Sequence, residues 1–417
     1  MRSEVPEVFR PADILIPQVE ELQKWAVIAC DQFTSQPEYW QQAERLVGDA
    51  PSALRLILPE AELSGPYEQR IPGINAAMER YLREGIFREY RDAFVYVERG
   101  LLDGQLRRGL VGAIDLEQYD YSPDADSAIR ATERTVVERI PPRRKIREKA
   151  PLELPHVLLL CDDEEDRILA PLTARRDMLP PLYDFELMAG GGHIRGWLVR
   201  GEETERVRQS LKDYAAGAES RYGDLAGTHM LYAVGDGNHS LATAKTCWEA
   251  LKPTLSPEQR QSHPARFALV ELENLHDDSQ KIEPIHRIVR GVDPAALLEA
   301  AREAIGAREG YPLPWAAGQE RGTLVLDPAL GQLPVGILQS FLDAWLPANG
   351  GQIDYIHDDE ALYALAAEEG SVGFLLPAIG KSELFRGIIA DGVLPRKTFS
   401  MGHAAEKRYY LEARKIR

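Results

Sequence analysis

The sequence predicts an α/β fold, with α+β as the neighbouring class: mixed sheets layered with helices. Three observations predict it. Apolar runs of strand length alternate with amphipathic segments along almost the whole chain. Some strand pairs are joined by polar, Gly-containing links, which argues against a purely parallel sheet. Finally, the run Met230–Val234 enters Gly235-Asp236-Gly237-Asn238-His239-Ser240, after which Leu241, Ala244, Trp248 and Leu251 recur at helical spacing.

The elements follow in order. Trp25–Cys30 and Leu54–Leu58 read as strands, and a helix opens at Pro37. Ile74, Met78 and Leu82 mark a helix running to about Tyr90. Phe94–Arg99 and Leu110–Asp115 read as strands of a hairpin. A helix is expected from about Asp126 to Ile140, then the basic run Arg139, Arg143, Arg144, Lys145, Arg147, read as solvated surface. His156–Cys161 reads as a buried strand. Tyr183–Ala189 and His193–Val199 flank Gly190-Gly191-Gly192 as a second hairpin. Val207, Leu211, Tyr214, Ala218 and Tyr222 line a helix face, and 266–272 reads as a strand.

Past residue 292 the pattern gives helices at 295–305, 336–346, 359–367 and 382–389. Strands are expected at 323–326, 353–356 and 372–376, and Gly310–Pro314 reads as a loop. With 417 residues, two domains are expected. These are a main α/β domain over 1–292 and a smaller α/β unit over 293–417 whose tail returns to the site.

Composition narrows the function. The net charge of −17 disfavours general nucleic-acid binding. Cys30, Cys161 and Cys247 form no metal-ligand pattern and read as free thiols of a reducing compartment. No apolar run approaches a membrane span and no leader pattern opens the chain, so a soluble, cytoplasmic protein is expected.

The Gly235–Ser240 turn is the leading site candidate. A strand, a tight glycine turn and a helix leave backbone N–H groups at the positive end of the helix dipole, where an anion is favoured. Asp236 and His239 add a carboxylate and an imidazole; the plainer alternative is an ordinary turn with Asn238 as a cap. The stretch matches neither a Walker loop nor a full dinucleotide fingerprint. Three further clusters accompany it. Asp31, after the first strand, is a candidate base or metal ligand. Glu283-Pro284-Ile285-His286-Arg287 offers a guanidinium for phosphate, with a surface ion pair as its alternative. Leu394–His403 is rich in cations and hydroxyls, Lys397 and Thr398 among them. Asp358 reads as a helix cap beside His357.

These clusters, in this order, resemble the bacterial and archaeal family known as domain of unknown function 1015. The resemblance rests on Trp25–Trp40, 130–139, Gly235–Lys245, Glu283–Arg287 and Leu394–Lys407. The family's usual motif, Ala-Asp-Gly-His-His-Arg-Tyr, is similar to the Asp-Gly-x-His-Arg signature of free serine kinases in the ParB/sulfiredoxin-like group. The resemblance places such an element around residues 229–252. Asp236, Gly237 and His239 match; Asn238 replaces a histidine and Ser240 the arginine. Arg287 or Lys397 would then supply the missing cation. The resemblance implies an enzyme: a nucleotide-dependent phosphotransferase of a small metabolite, serine or phosphoserine. Asp31, Asp236 and His239 would be catalytic. Gly235, Gly237, Asn238, Ser240, His286, Arg287, Lys397 and Thr398 would hold phosphate or nucleotide. ATP or ADP, with Mg²⁺, would be the cofactor. The alternatives are a non-catalytic, nucleotide- or phosphate-binding regulatory protein on a ParB-like scaffold, and a small-molecule phosphohydrolase.

Overall fold

The computed structural model describes residues 7–63, 65–135, 140–223, 225, 229–402 and 404–417. Its trunk is the hairpin of strands Phe87–Gly100 and Leu106–Asp115, paired with Val95 opposite Val111. The hairpin is buried on both sides because alternate residues feed two cores. Val95, Val97, Val111 and Ala113 face one core with Trp25, Ile14 and Leu269. Phe94, Tyr96, Leu110 and Ile114 face the other with Phe9, Leu272 and Trp248.

Around this hairpin the described residues form an eleven-stranded mixed sheet. On one side lie His193–Val199 and then Pro181–Glu186, the predicted second hairpin. On the other lie Phe267–Asn274, Leu158–Cys161, Tyr232–Asp236, Ile129–Ala131 and Tyr119–Asp120 in that order. Tyr232–Asp236 runs antiparallel to Leu158–Cys161 and parallel to Ile129–Ala131. Mixed directions in one sheet make this the α/β arrangement expected. A separate five-stranded sheet joins Glu320–Leu326, Gly306–Ala317, Ser371–Phe374, His286–Arg290 and Gln352–Ile356. It therefore draws one strand from before residue 293. The C-terminal segment pairs back onto the first sheet's side of the molecule: Tyr409–Tyr410 with Val27–Ile28, and Arg414–Lys415 with Leu152–Glu153.

Several elements differ from expectation. Trp25 ends a short helix, Leu22–Trp25, and only Val27–Ile28 is strand. Leu54–Leu58 is no strand: Ala53–Arg55 is a 3₁₀ turn, with the Ser52 hydroxyl accepting the Leu54 N–H at 3.1 Å. A short apolar run carries no period that separates a strand from any other buried segment. The helix at Ile74 ends at Arg83; Gly85, at φ +70°, turns the chain into strand. The helix expected over 126–140 is instead strand Ile129–Ala131, its backbone taken by two parallel neighbours. Residues 136–139 of that expectation, Arg139 included, lie outside the described residues, as does His403. Gly310–Pro314 lies inside a strand, with Pro312 and Pro314 exposed and Leu313 buried between them. Prolines are tolerated there because that strand meets its second neighbour only at Trp315 and Ala316. Among the described residues no helix is long and apolar enough to cross a membrane.

Candidate active site at the glycine turn

Strand Tyr232–Asp236 delivers the turn. Gly235 is its fourth residue, where a Cβ would meet the Leu160 side chain at 2.9 Å. Gly237 adopts φ +81°, and a Cβ there would meet Val157 Cα at 3.0 Å. Only glycine fits that combination without strain. Helix Asn238–Leu251 follows at once, and its first intrahelical bond runs from Leu241 N–H to Gly237 C=O at 3.0 Å. The first helical turn thus presents its amides at the positive end of a 14-residue helix.

Side chains surround that helix start. Asp236 Oδ1 accepts the Gly237 N–H at 2.9 Å, and its Oδ2 lies 3.2 Å from Lys407 Nζ. Asn238 Nδ2 donates to Thr132 Oγ1 at 3.4 Å, and that hydroxyl donates to Val234 C=O at 2.6 Å. Asn238 Oδ1 is buried and meets no donor among the described residues. Ser240 Oγ lies 3.0 Å from His156 Nε2, and His156 Nδ1 lies 2.6 Å from the Tyr410 hydroxyl. Asp31 Oδ2 is 3.8 Å from the same Nε2. Burial works to raise the Asp31 carboxyl, but His156, the Gln32 amide and Lys407 outweigh it and hold it below the usual carboxylate range. Burial pushes the Tyr410 hydroxyl well above the ordinary tyrosine range, and the Cys30 thiol up to about 11. Both shifts favour the protonated forms and disfavour a Cys30 thiolate.

An apolar cavity of about 150 Å³ opens against Ser240, His156, Cys30 and Tyr410, walled by Leu58 and Leu241 among others. Helix Ile140–Arg147 borders it, and its Arg143 pairs with Glu60.

The sequence candidates fall into two groups. Asp31, Asp236, Gly237, Asn238 and Ser240 meet at the turn, linked through His156, Lys407 and Thr132; His239 is the second residue of the same helix. His286, Arg287, Lys397 and Thr398 form a second group. His286 Nδ1 accepts the Leu376 N–H at 3.0 Å and its Nε2 lies 2.6 Å from Asp359. Arg287 is wholly buried; it donates to Gln339 Oε1 at 2.8 Å, Ile285 C=O at 2.6 Å and Lys397 C=O at 3.0 Å. These acceptors are neutral, and Arg287 makes no surface ion pair among the described residues. Lys397 Nζ and the Arg287 guanidinium both lie over the Tyr355 ring, at 5.0 and 4.7 Å from its centroid. Thr398 hydroxyl donates to Pro395 C=O at 2.6 Å and its N–H to Glu133 Oε1 at 3.2 Å. Asp358 does cap its helix, accepting the Ala361 N–H at 2.7 Å.

The cation at the turn is thus Lys407, where the sequence reading looked to Arg287 or Lys397. His156, Tyr410, Thr132 and Glu133 were also unforeseen as site residues. His156 carried a signal: an imidazole at the head of an apolar run. Glu133 stands between the groups. Burial raises its carboxyl, against the N–H groups of Thr398 and Lys397 and the charge of Arg287, while Asp236 adds to the rise.

A family model described as protein of unknown function (DUF1015) matches residues 10–415. No curated protein matches the sequence. Among solved structures, a conserved hypothetical protein from Pyrococcus furiosus is similar at 12% identity and a TM-score of 0.34, over 70% of this chain and 90% of that one. A free serine kinase in complex with AMP is similar at 12% identity and a TM-score of 0.34, over 73% of this chain and 91% of that one. A variant of free serine kinase in complex with ADP gives 11% identity and a TM-score of 0.38 over the same shares.

Proposed function

We propose that this chain, which belongs to the DUF1015 family, holds a nucleotide phosphate at the Gly235–Ser240 turn and transfers a phosphoryl group to a small hydroxyl-bearing metabolite. Serine is the acceptor suggested by the signature's similarity to that of free serine kinases. One observation carries the reading. A left-handed glycine opens a 14-residue helix, with a lysine and two carboxylates gathered at its start.

The amides of the first helical turn suit phosphate oxygens. Lys407 supplies a cation beside them. Asn238 Oδ1, a buried acceptor with no donor in the described structure, suits a nucleotide hydroxyl or a metal-bound water. Among the described residues no group of three potential metal ligands exists. Mg²⁺ at phosphate sites needs only one or two carboxylates, so Asp236 fits that role and leaves Asp31 free as a base. When bound, Mg²⁺ neutralises charge on the phosphates. Asp31, held ionised, would take the proton of the acceptor hydroxyl. Phosphoryl transfer asks mainly for positioning and charge neutralisation, which this inventory can meet.

One observation favours a second reading, that of a nucleotide-binding regulator without turnover. Ser240 stands where the signature has arginine and is hydrogen-bonded to His156, while Lys407 is already paired with Asp236. Phosphorus NMR of the full chain with ATP, Mg²⁺ and serine, and in reverse with ADP and phosphoserine, decides between them. Product signals support transfer. Nucleotide binding with a flat trace across serine and other small alcohols supports the regulator. No nucleotide binding removes both.

A further inference from the structure

A cleft of about 680 Å³ adjoins the second group of candidate residues through Gln339 and Tyr355, both of which Arg287 contacts. That volume is within the range of ordinary small-molecule pockets. Its walls include Arg134, Arg396, Gln339, Tyr355, Asp343 and Asp391. It shares a wall with the glycine turn: Thr132, two residues before Arg134, anchors Asn238, and Leu394 N–H donates to Thr132 C=O at 2.9 Å.

The charges there run against the composition. The chain carries 66 acidic and 49 basic side chains, and several buried cations elsewhere find carboxylates: Arg408 has Glu271 and Glu412, and Arg414 has Glu153. Arg134, Arg287, Arg396 and Lys397 make no ion pair among the described residues; Arg287 and Lys397 lie over the Tyr355 ring, and Arg134 and Arg396 line the same cleft as that tyrosine. Arg287 has neutral acceptors only, and its role is visible. Its guanidinium holds the carbonyl of Lys397 at 3.0 Å, and so fixes the turn that presents Arg396. Lys397 itself sits at φ +55°, an uncommon conformation for a long side chain. Two carboxylates, Asp343 and Asp391, line the same cleft as the Arg134 and Arg396 side chains. Asp343 accepts from Gln339 Nε2 at 2.8 Å, and Asp391 accepts the Gln332 N–H at 2.7 Å.

We infer that this cleft is a second binding site, for a small amphoteric acid. Its acidic group lies against the Arg134 and Arg396 guanidiniums, and its amine faces Asp343 and Asp391. Guanidinium forks match carboxylate and phosphate alike, so the acidic group is of one of these two kinds. The inference does not depend on phosphoryl transfer at the glycine turn.

The test is calorimetric titration of the full chain with L-aspartate and with O-phosphoethanolamine, which carry the two kinds of acid beside an amine. Succinate serves as the amine-free control. At least one amphoteric probe should bind, more tightly than succinate, and the tighter of the two identifies the acidic group. Arg134→Ala with Arg396→Ala should weaken it at least tenfold. Arg134→Lys with Arg396→Lys keeps the charge without the fork, and should fall between that variant and the parent. Asp236→Asn, at the turn, should bind within twofold of the parent. Binding by neither probe would overturn the inference, as would parental affinity in the double alanine variant, or a loss in Asp236→Asn instead. Arg134 and Arg396 are exposed, so both double variants should keep the parent's melting temperature.

Discussion

The Arg99 guanidinium donates to the Lys407 carbonyl at 2.6 Å, so the sheet's central hairpin directly fixes the residue that faces Asp236. The same guanidinium takes the Ala405 and Glu406 carbonyls at 2.8 and 2.9 Å, and Arg107 also takes Glu406 at 2.9 Å. Two buried arginines thereby order a loop that has little regular structure of its own.

Arg99→Met should therefore act at two places. Four carbonyls, that of Gly191 included, lose a charged donor, and stability should fall by about 3 kcal/mol or more, read by urea denaturation. ADP affinity should fall as well, because Lys407 is no longer held. Lys407→Ala should weaken ADP by roughly tenfold or more while costing less than about 1 kcal/mol of stability. Equal ADP affinity in parent and both variants would remove Lys407 from the phosphate site.

Gly237→Ala should destabilise the protein by at least about 1 kcal/mol. The backbone there is left-handed and the new methyl would press on Val157 Cα at 3.0 Å. Thermal melts of Gly237→Ala beside the parent read that cost, and an unchanged melting temperature would show that the turn tolerates a side chain.

His239→Ala should lower turnover by roughly 10²-fold if the imidazole contacts the transferring group. ADP affinity should change less, since the helix amides remain. Initial rates by phosphorus NMR and calorimetric binding supply the two readings; an equal loss in both would make His239 a binding residue only.

Glu273 gives a signed pH dependence. Burial raises its carboxyl to about 7, against the opposing charge of Arg107, whose Nε lies 3.0 Å from Oε1. Folding therefore favours the protonated form. The unfolded chain releases that proton near the ordinary glutamate value, about 4.3, and the folded chain only near 7. Stability from this group is full below the lower value and is lost as pH rises to the upper one. The parent should lose stability relative to Glu273→Gln across that window, measured by urea titration at several pH values. A difference that is flat in pH would show Glu273 ionised throughout.

The sequence was most legible where the chain repeats a clear period. Phe94–Arg99, Leu110–Asp115 and His193–Val199 are strands because alternate residues along each feed two cores. The turn at Gly235–Ser240 was legible for a different reason: its glycines sit at positions that tolerate no side chain. Leu54–Leu58 failed because the run is short, and because Ser52 captures the Leu54 N–H. Ile129–Ala131 failed because its charged flanks suggested a helix face, while its pairing comes from strands at 119–120 and 232–234. Lys407, Tyr410 and His156 had no local signature as a set. Long-range pairing alone unites them: Val27–Ile28 with Tyr409–Tyr410, and Leu152–Glu153 with Arg414–Lys415.

That pairing has a temporal meaning. A ribosome makes Asp31 before His156 and the turn, and all three before Lys407 and Tyr410. The Trp25 indole N–H waits for the Leu411 carbonyl, and the Cys30 N–H for the Tyr410 hydroxyl. Contacts between such distant segments form late, because a long loop must close before they repay its entropy. A growing chain therefore holds the glycine turn before it holds the lysine that faces it, and the site is completed only once the segment around Lys407 has emerged.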